Sequence, residues 1–175
     1  MWGWLAVALL GVLVFLLLRP LTRRWKIEAR LARPAADVFA LHLDPVRFYA
    51  VLDLEKRNDH YRVLRVQRRE HVMWYELHHT LEGGRVIESR PVRFDIQAEK
   101  YCFSEQFRAM GTAFLFQWRH IESDSEACLV KLAVEISGPA ILVLLFGNLA
   151  GGGVEKIWQS RFATTRTHLD RLIPK

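Results

Sequence analysis

Few side chains in this sequence invite chemistry. They are the adjacent pair His78-His79, Glu105 within "YCFSEQF", His120 at the end of "FLFQWRH", and the two cysteines Cys102 and Cys128. Neighbours in a strand point to opposite faces, so His78 and His79 do not share one metal ion from a regular strand. A zinc site needs further His or Cys at converging positions, and the spacing offers none. No metal and no cofactor are expected. The cysteines sit in alternating apolar runs without a CxxC spacing, the pattern of reduced core thiols. Glu105 shares a strand face with Tyr101, Phe103 and Phe107, and His120 shares one with Phe114, Phe116 and Trp118. A carboxyl among apolar groups has a raised pKa and can exchange a proton near neutrality. Glu105 and His120 are therefore the candidates for acid–base work, with hydrogen-bonded residues near a strand end as the plain alternative. The sequence holds no G-x-S-x-G elbow, P-loop or G-x-G-x-x-G.

The elements that must position these residues follow from periodicity. Trp25, Ile27, Ala29 and Leu31 alternate with Lys26, Glu28 and Arg30, a strand with one face on a core. Pro34 opens a short helix carrying Val38, Phe39 and His42. Asp44-Pro45 opens a second with Phe48, Val51 and Leu52. Period two then predicts strands near His60–Gln67, His71–His79, Arg85–Val92, Lys100–Phe107, Thr112–Ile121 and Glu126–Ile136. Turns are expected at Glu82-Gly83-Gly84, Met110-Gly111 and Ser123-Asp124-Ser125, and such short links make an antiparallel meander. Val154, Ile157, Trp158, Phe162, Thr165, Leu169 and Leu172 mark one stripe of a terminal helix. Before it, "GPAILVLLFGNLAGGG" (Gly138 to Gly153) reads as the start of that helix, a cap over a pocket, or a patch that dips into lipid, with a break at Gly151 to Gly153.

A curved antiparallel sheet does not close flat on one long helix, and the gap left becomes an apolar cavity with a few polar groups. Tyr101, Phe103, Phe107, Phe114, Phe116 and Trp118 from the strands, with Trp158 and Phe162 from the helix, are expected to line it. Plain core is the alternative for each.

The chain has 175 residues, 51% hydrophobic and 25% charged, enough for one cored domain plus an appendage. The appendage is Met1 to Leu18, which has no charged side chain and sits at the short end of the lengths that span a bilayer. A cleaved signal peptide is the rival, but Leu17-Leu18-Arg19-Pro20 is no small-residue cleavage site. Trp2, Trp4 and Trp25 suit the two interfaces. Arg19, Arg23, Arg24 and Lys26 predict a single-pass protein with its C-terminal domain in the cytoplasm, and could hold anionic headgroups. The expected division is an anchor at 1–18, a basic juxtamembrane linker at 19–24, and a ligand-binding domain at 25–175. The formal charge is +6, but positive residues of the domain are mixed with acids, so no nucleic-acid partner is expected. The bilayer and a hydrophobic small molecule are the expected partners.

This order of elements resembles the START-like, polyketide cyclase/lipid-transport superfamily (SRPBCC, the helix-grip fold). The likeness covers Trp25 to Ile173, with its most specific part at Glu28 to Phe48: a strand, Pro34 with Val38-Phe39, then Asp44-Pro45 with Phe48. It implies an α+β fold with a seven-stranded curved antiparallel sheet gripping a long C-terminal helix, and two short helices after the first strand. Tyr49-Ala50-Val51 stands where many members carry a tryptophan, and most members have no anchor. The motif matches structural positions and says little of function. Three readings follow: membrane-tethered binding or transfer of a lipid, isoprenoid quinone or similar molecule; a cyclase or dehydratase using the same pocket, with Glu105 or His120 as acid–base; and an interaction domain with a filled core.

Overall fold

Alternation of apolar and polar side chains organises most of the chain. A computed structural model describes residues 2–54, 59–81, 86–148 and 153–173. Its strands are β1 (Pro20–Leu31), β2 (Asp59–Arg69), β3 (Val72–Leu81), β4 (Val86–Gln97), β5 (Cys102–Ala109), β6 (Thr112–Asp124) and β7 (Ala127–Pro139). They form one seven-stranded sheet in the order β1-β7-β6-β5-β4-β3-β2, with every pairing antiparallel. The meander from β2 to β7 is the expected one, and β1 joins it beside β7 with Pro20 opposite Pro139 and Leu31 opposite Cys128.

The expected linker at 19–24 is corrected here. From Pro20 these residues are strand, because the inward alternation of Ile27, Ala29 and Leu31 continues back through Trp25 to Leu21, both packed against the core. Helix α1 (Trp2–Leu18) therefore meets the sheet with only Arg19 between them. The Met110-Gly111 turn is as expected: Ala109 pairs with Thr112, and both turn residues have positive φ, 50° and 74°. That suits a two-residue hairpin, at a cost of about 1–2 kcal/mol for the methionine. The turn expected at Ser123 to Ser125 falls slightly later, because β6 runs on to Asp124, which pairs with Ala127 and accepts the Glu126 amide at 3.0 Å. Glu82-Gly83-Gly84, Gly151 and Gly152 lie outside the described residues.

Helix α2 (Ala35–Leu43) follows Pro34 and α3 (Pro45–Leu54) follows Asp44. The Asp44 carboxylate caps α3 by accepting the amides of Val46 and Arg47 at 3.0 and 3.2 Å. The apolar segment after β7 forms α4 (Ala140–Asn148), followed by α5 (Gly153–Thr167) and the short α6 (Leu169–Leu172). Ala140 to Thr167 is long and apolar enough to cross a membrane by length and composition alone. Its second half is nevertheless part of the domain, because Val154, Trp158, Phe162 and Thr165 on one face of α5 are buried.

The core between sheet and helices is aromatic. Trp118 meets Trp158 edge-to-face at 5.2 Å, stacks on Phe103 at 5.6 Å and touches Phe48 and Phe162. Beside it a buried histidine pair joins α2 to β6, with His42 Nδ1 2.8 Å from His120 Nε2. His120 Nδ1 lies 2.9 Å from the Tyr101 carbonyl, which only accepts. So His120 donates from Nδ1, its Nε2 accepts from His42, and both rings are neutral. Burial lowers the pKa of both: that of His42 falls well below 6.5, with proximity to His120 adding to the shift, and that of His120 falls to about 4.

Two outcomes follow. Trp118→Ala is expected to destabilise the protein by roughly 3–5 kcal/mol in denaturant unfolding, as for other large buried aromatics. The histidine pair makes stability depend on acidity. Above about pH 6.5 neither the folded nor the unfolded chain protonates these rings. As pH falls from there towards 4 only the unfolded chain does, so stability is lost at up to about 1.4 kcal/mol per pH unit for each histidine. Compared across pH 4–7.5, a His42→Phe/His120→Phe double variant should lack this slope. Parallel curves would refute the neutral pair.

Candidate functional site

Beside this aromatic core the sheet and α5 bound a cavity of about 250 Å³. Inward-facing residues of β5 to β7 form one wall: Phe107, Ala109, Phe114, Phe116, Val134 and Ile136. Val154, Ile157 and Trp158 of α5 and Phe146 of α4 face them. Phe107 stacks on Phe114 at 4.8 Å and on Phe116 at 5.7 Å. Phe146 meets Phe114 edge-on at 5.4 Å. The mouth is marked by Met110, which lines the cavity yet is 75% exposed. It sits in the β5–β6 turn, at the end of the sheet where β1 begins and β7 ends.

The polar groups gather around Glu105, which is 3% exposed. Its Oε1 accepts the hydroxyl of Tyr49 (α3) at 3.1 Å and that of Tyr75 (β3) at 3.4 Å. Both of these bonds fall on Oε1, and Glu105 lines the cavity. Burial raises the carboxyl pKa to about 7, against the opposing pull of Tyr49, Arg90, Tyr75 and Arg161. Burial and the nearby carboxylate raise both tyrosines, which stay protonated donors. Arg90 lies over the Phe107 ring at 4.2 Å and Arg161 over Trp158 at 4.5 Å. An apolar chamber lined by the carboxyl of Glu105, the phenols of Tyr49 and Tyr61 and the guanidinium groups of Arg90 and Arg161 can hold a mostly apolar molecule by a single polar end.

The expected residues divide between this cavity and other places. Phe107, Phe114, Phe116 and Trp158 line it, as does Glu105. Phe103, Trp118 and Phe162 belong to the filled core beyond it. Tyr101 is 39% exposed, because a 3-10 turn at Ala98–Lys100 delays β5 to Cys102 and leaves Tyr101 with left-handed backbone outside the alternation. His120 is inward, but it is tied to His42 and Tyr101 away from the cavity. His78 bonds Glu76 at 3.0 Å while His79 stacks on Tyr61 at 4.5 Å, so the pair diverges across the strand as expected. Tyr49, Tyr75, Arg90, Arg161 and Met110 were not foreseen. Arg90 had a signal: it shares the two-residue period of Val92, Phe94 and Ile96, the place of a core residue. A broader depression of about 1000 Å³ lies on the outer face of the sheet, where Lys26, Glu28, Arg119 and Lys131 make it charged and open.

No family model matches the sequence, and no curated protein sequence matches it significantly. Solved structures do. Truncated norcoclaurine synthase from Thalictrum flavum is 14% identical with a TM-score of 0.61, over 86% of this chain and 94% of that one. The Zhui aromatase/cyclase from Streptomyces sp. R1128 is 16% identical with a TM-score of 0.53, over 87% of each chain. Ara h 8.0201 is 9% identical with a TM-score of 0.55, over 85% of this chain and 97% of that one. At such identities the likeness speaks for the fold alone, and it agrees with the strand order, the two early helices and the gripped α5: the chain has the helix-grip fold.

Proposed function

We propose that this protein binds a hydrophobic small molecule in the cavity between its sheet and α5 while α1 holds it at a membrane, with the domain on the cytoplasmic side. The observation that carries the reading is the placement of the mouth. Met110 and Phe146 open the apolar cavity at the end of the sheet from which the uncharged α1 departs. A molecule dissolved in lipid would then travel a short way to enter. The volume, about 250 Å³, is just under the lower limit of about 300 Å³ for drug-sized sites. It suits a ring or the head of an amphiphile, with any long tail left outside the mouth. The aromatic walls favour a flat ring, and the Glu105 carboxyl favours a polar group on it: a hydroxyl donor when ionised, a carbonyl acceptor when protonated. An isoprenoid quinol or quinone, or the head of a lipid, has this make-up.

A second reading has an observation of its own. Glu105, with its pKa raised to about 7 and its place in the cavity lining, suits proton transfer in a cyclase- or dehydratase-type reaction. Two neighbours in fold are a synthase and an aromatase/cyclase by name. In that case the bound molecule would be chemically changed, and Glu105→Gln would stop the change while leaving uptake intact.

The test is binding of a fluorescent fatty acid or quinone analogue to the full-length chain in nanodiscs, wild type against Phe116→Arg, both shown to be folded. Phe116 is buried and lines the cavity, so an arginine there places a charge in apolar space. Wild type is expected to bind and Phe116→Arg to lose uptake. Equal binding by both, or by neither, would overturn the pocket reading in favour of a filled-core interaction domain.

A further inference from the structure

Helix α4 carries the next inference. Its nine residues, AILVLLFGN, include no charge. Ala140, Val143 and Gly147 are buried on the face towards the domain. Ile141, Leu144 and Leu145, spaced three and four apart on the other face, are 37%, 39% and 40% exposed. Helix α1 packs alongside α4.

The seat of α4 fixes its level relative to α1. The Ala140 amide donates to the Arg19 carbonyl at 2.9 Å, directly after α1 ends. At its other end, Arg23 Nη1 donates to Asn148 Oδ1 at 3.2 Å. Gly147 lies so close to the Trp25 ring that an added Cβ would stand 2.9 Å from it. The helix is thus laid across the start of β1. The 17 residues of α1 rise about 25 Å, less than the roughly 30 Å of a hydrocarbon core. A helix of that length inserted in a bilayer draws its end, and α4 with it, into the boundary between headgroups and acyl chains. Arg19 and Arg23 are exposed in contact with α4, and Arg24 and Lys26 are exposed on the other face of the same strand; anionic headgroups at this level would meet them. Arg24 is in an ion pair with Glu135.

We propose that α4 is a membrane-docking helix: Ile141, Leu144 and Leu145 enter the headgroup–acyl boundary of an anionic bilayer beside α1, and Met110 with Phe146 presents the cavity mouth to lipid. This rests on the membrane-tethered reading above and gives the ligand its route. One helix then serves as cap and membrane contact together, with Phe146 turned to the cavity and its leucines turned outward.

The test uses the full-length chain in vesicles of phosphatidylcholine and phosphatidylglycerol. Cys102→Ser removes the partly exposed thiol and leaves the buried Cys128. Single cysteines carrying an environment-sensitive fluorophore are then placed at Leu144, at Leu145, at Val12 in α1, and at Glu126 in the β6–β7 turn at the far end of the sheet. The Leu144 and Leu145 probes are expected to shift to the blue and to be quenched by nitroxides near the headgroups. The Val12 probe should be quenched by deep nitroxides, and the Glu126 probe should stay as in water. If Val12 is quenched while Leu144 and Leu145 behave like Glu126, the docking proposal falls and the tether stands. If neither Val12 nor the leucines are quenched, both fall. Energy transfer between labelled chains in place of lipid quenching at Leu144 would assign the face to a second copy and overturn the proposal.

Discussion

The edge-to-face contact of Trp118 with Trp158 sets how far the sheet stands from α5, and the rest of the structure follows from that separation. On one side of it, Phe48, Phe103, Phe162 and the histidine pair fill the space. On the other side Phe107, Phe114, Phe116 and Phe146 stand among the smaller Val134, Ile136, Val154 and Ile157, and a cavity is left. The core and the cavity are thus two parts of one layer.

The cavity is also where the molecule tolerates polar groups. A buried carboxyl is costly when charged, and Glu105 lessens that cost by its raised pKa and by two phenol donors on a single oxygen. The donors come from α3 and β3, the carboxyl from β5, and the guanidinium groups from β4 and α5. The polar cluster therefore depends on the whole fold being assembled.

This explains what could be read in the sequence. Period-two alternation located the six strands from His60 to Ile136 and placed Glu105, Phe107, Phe114 and Phe116 on inward faces, since alternation reports facing directly. Asp44-Pro45 marked α3 because a cap is a local interaction. Alternation does not report depth along a strand, so Phe103 and Trp118 looked the same as Phe107 and Phe116 although only the latter pair lines the cavity. It was also misleading at breaks: Tyr101 kept the period but sits beyond a 3-10 turn. The His42–His120 bond and the Tyr49–Glu105 bond join residues 78 and 56 positions apart, and nothing local announces them. Basic residues before Trp25 masked the start of β1, because Arg23 and Arg24 read as a membrane-flanking cluster while pairing opposite Ile136 and Glu135.

The central claim is that the space beyond Trp158 exists to be occupied. Mass spectrometry of an organic extract of the purified full-length chain, quantified against protein, addresses it most directly. The account predicts an apolar compound recovered at close to one equivalent from the wild type and absent from Phe116→Arg. An extract with no such compound from either protein, or the same compound in equal amount from both, would contradict it.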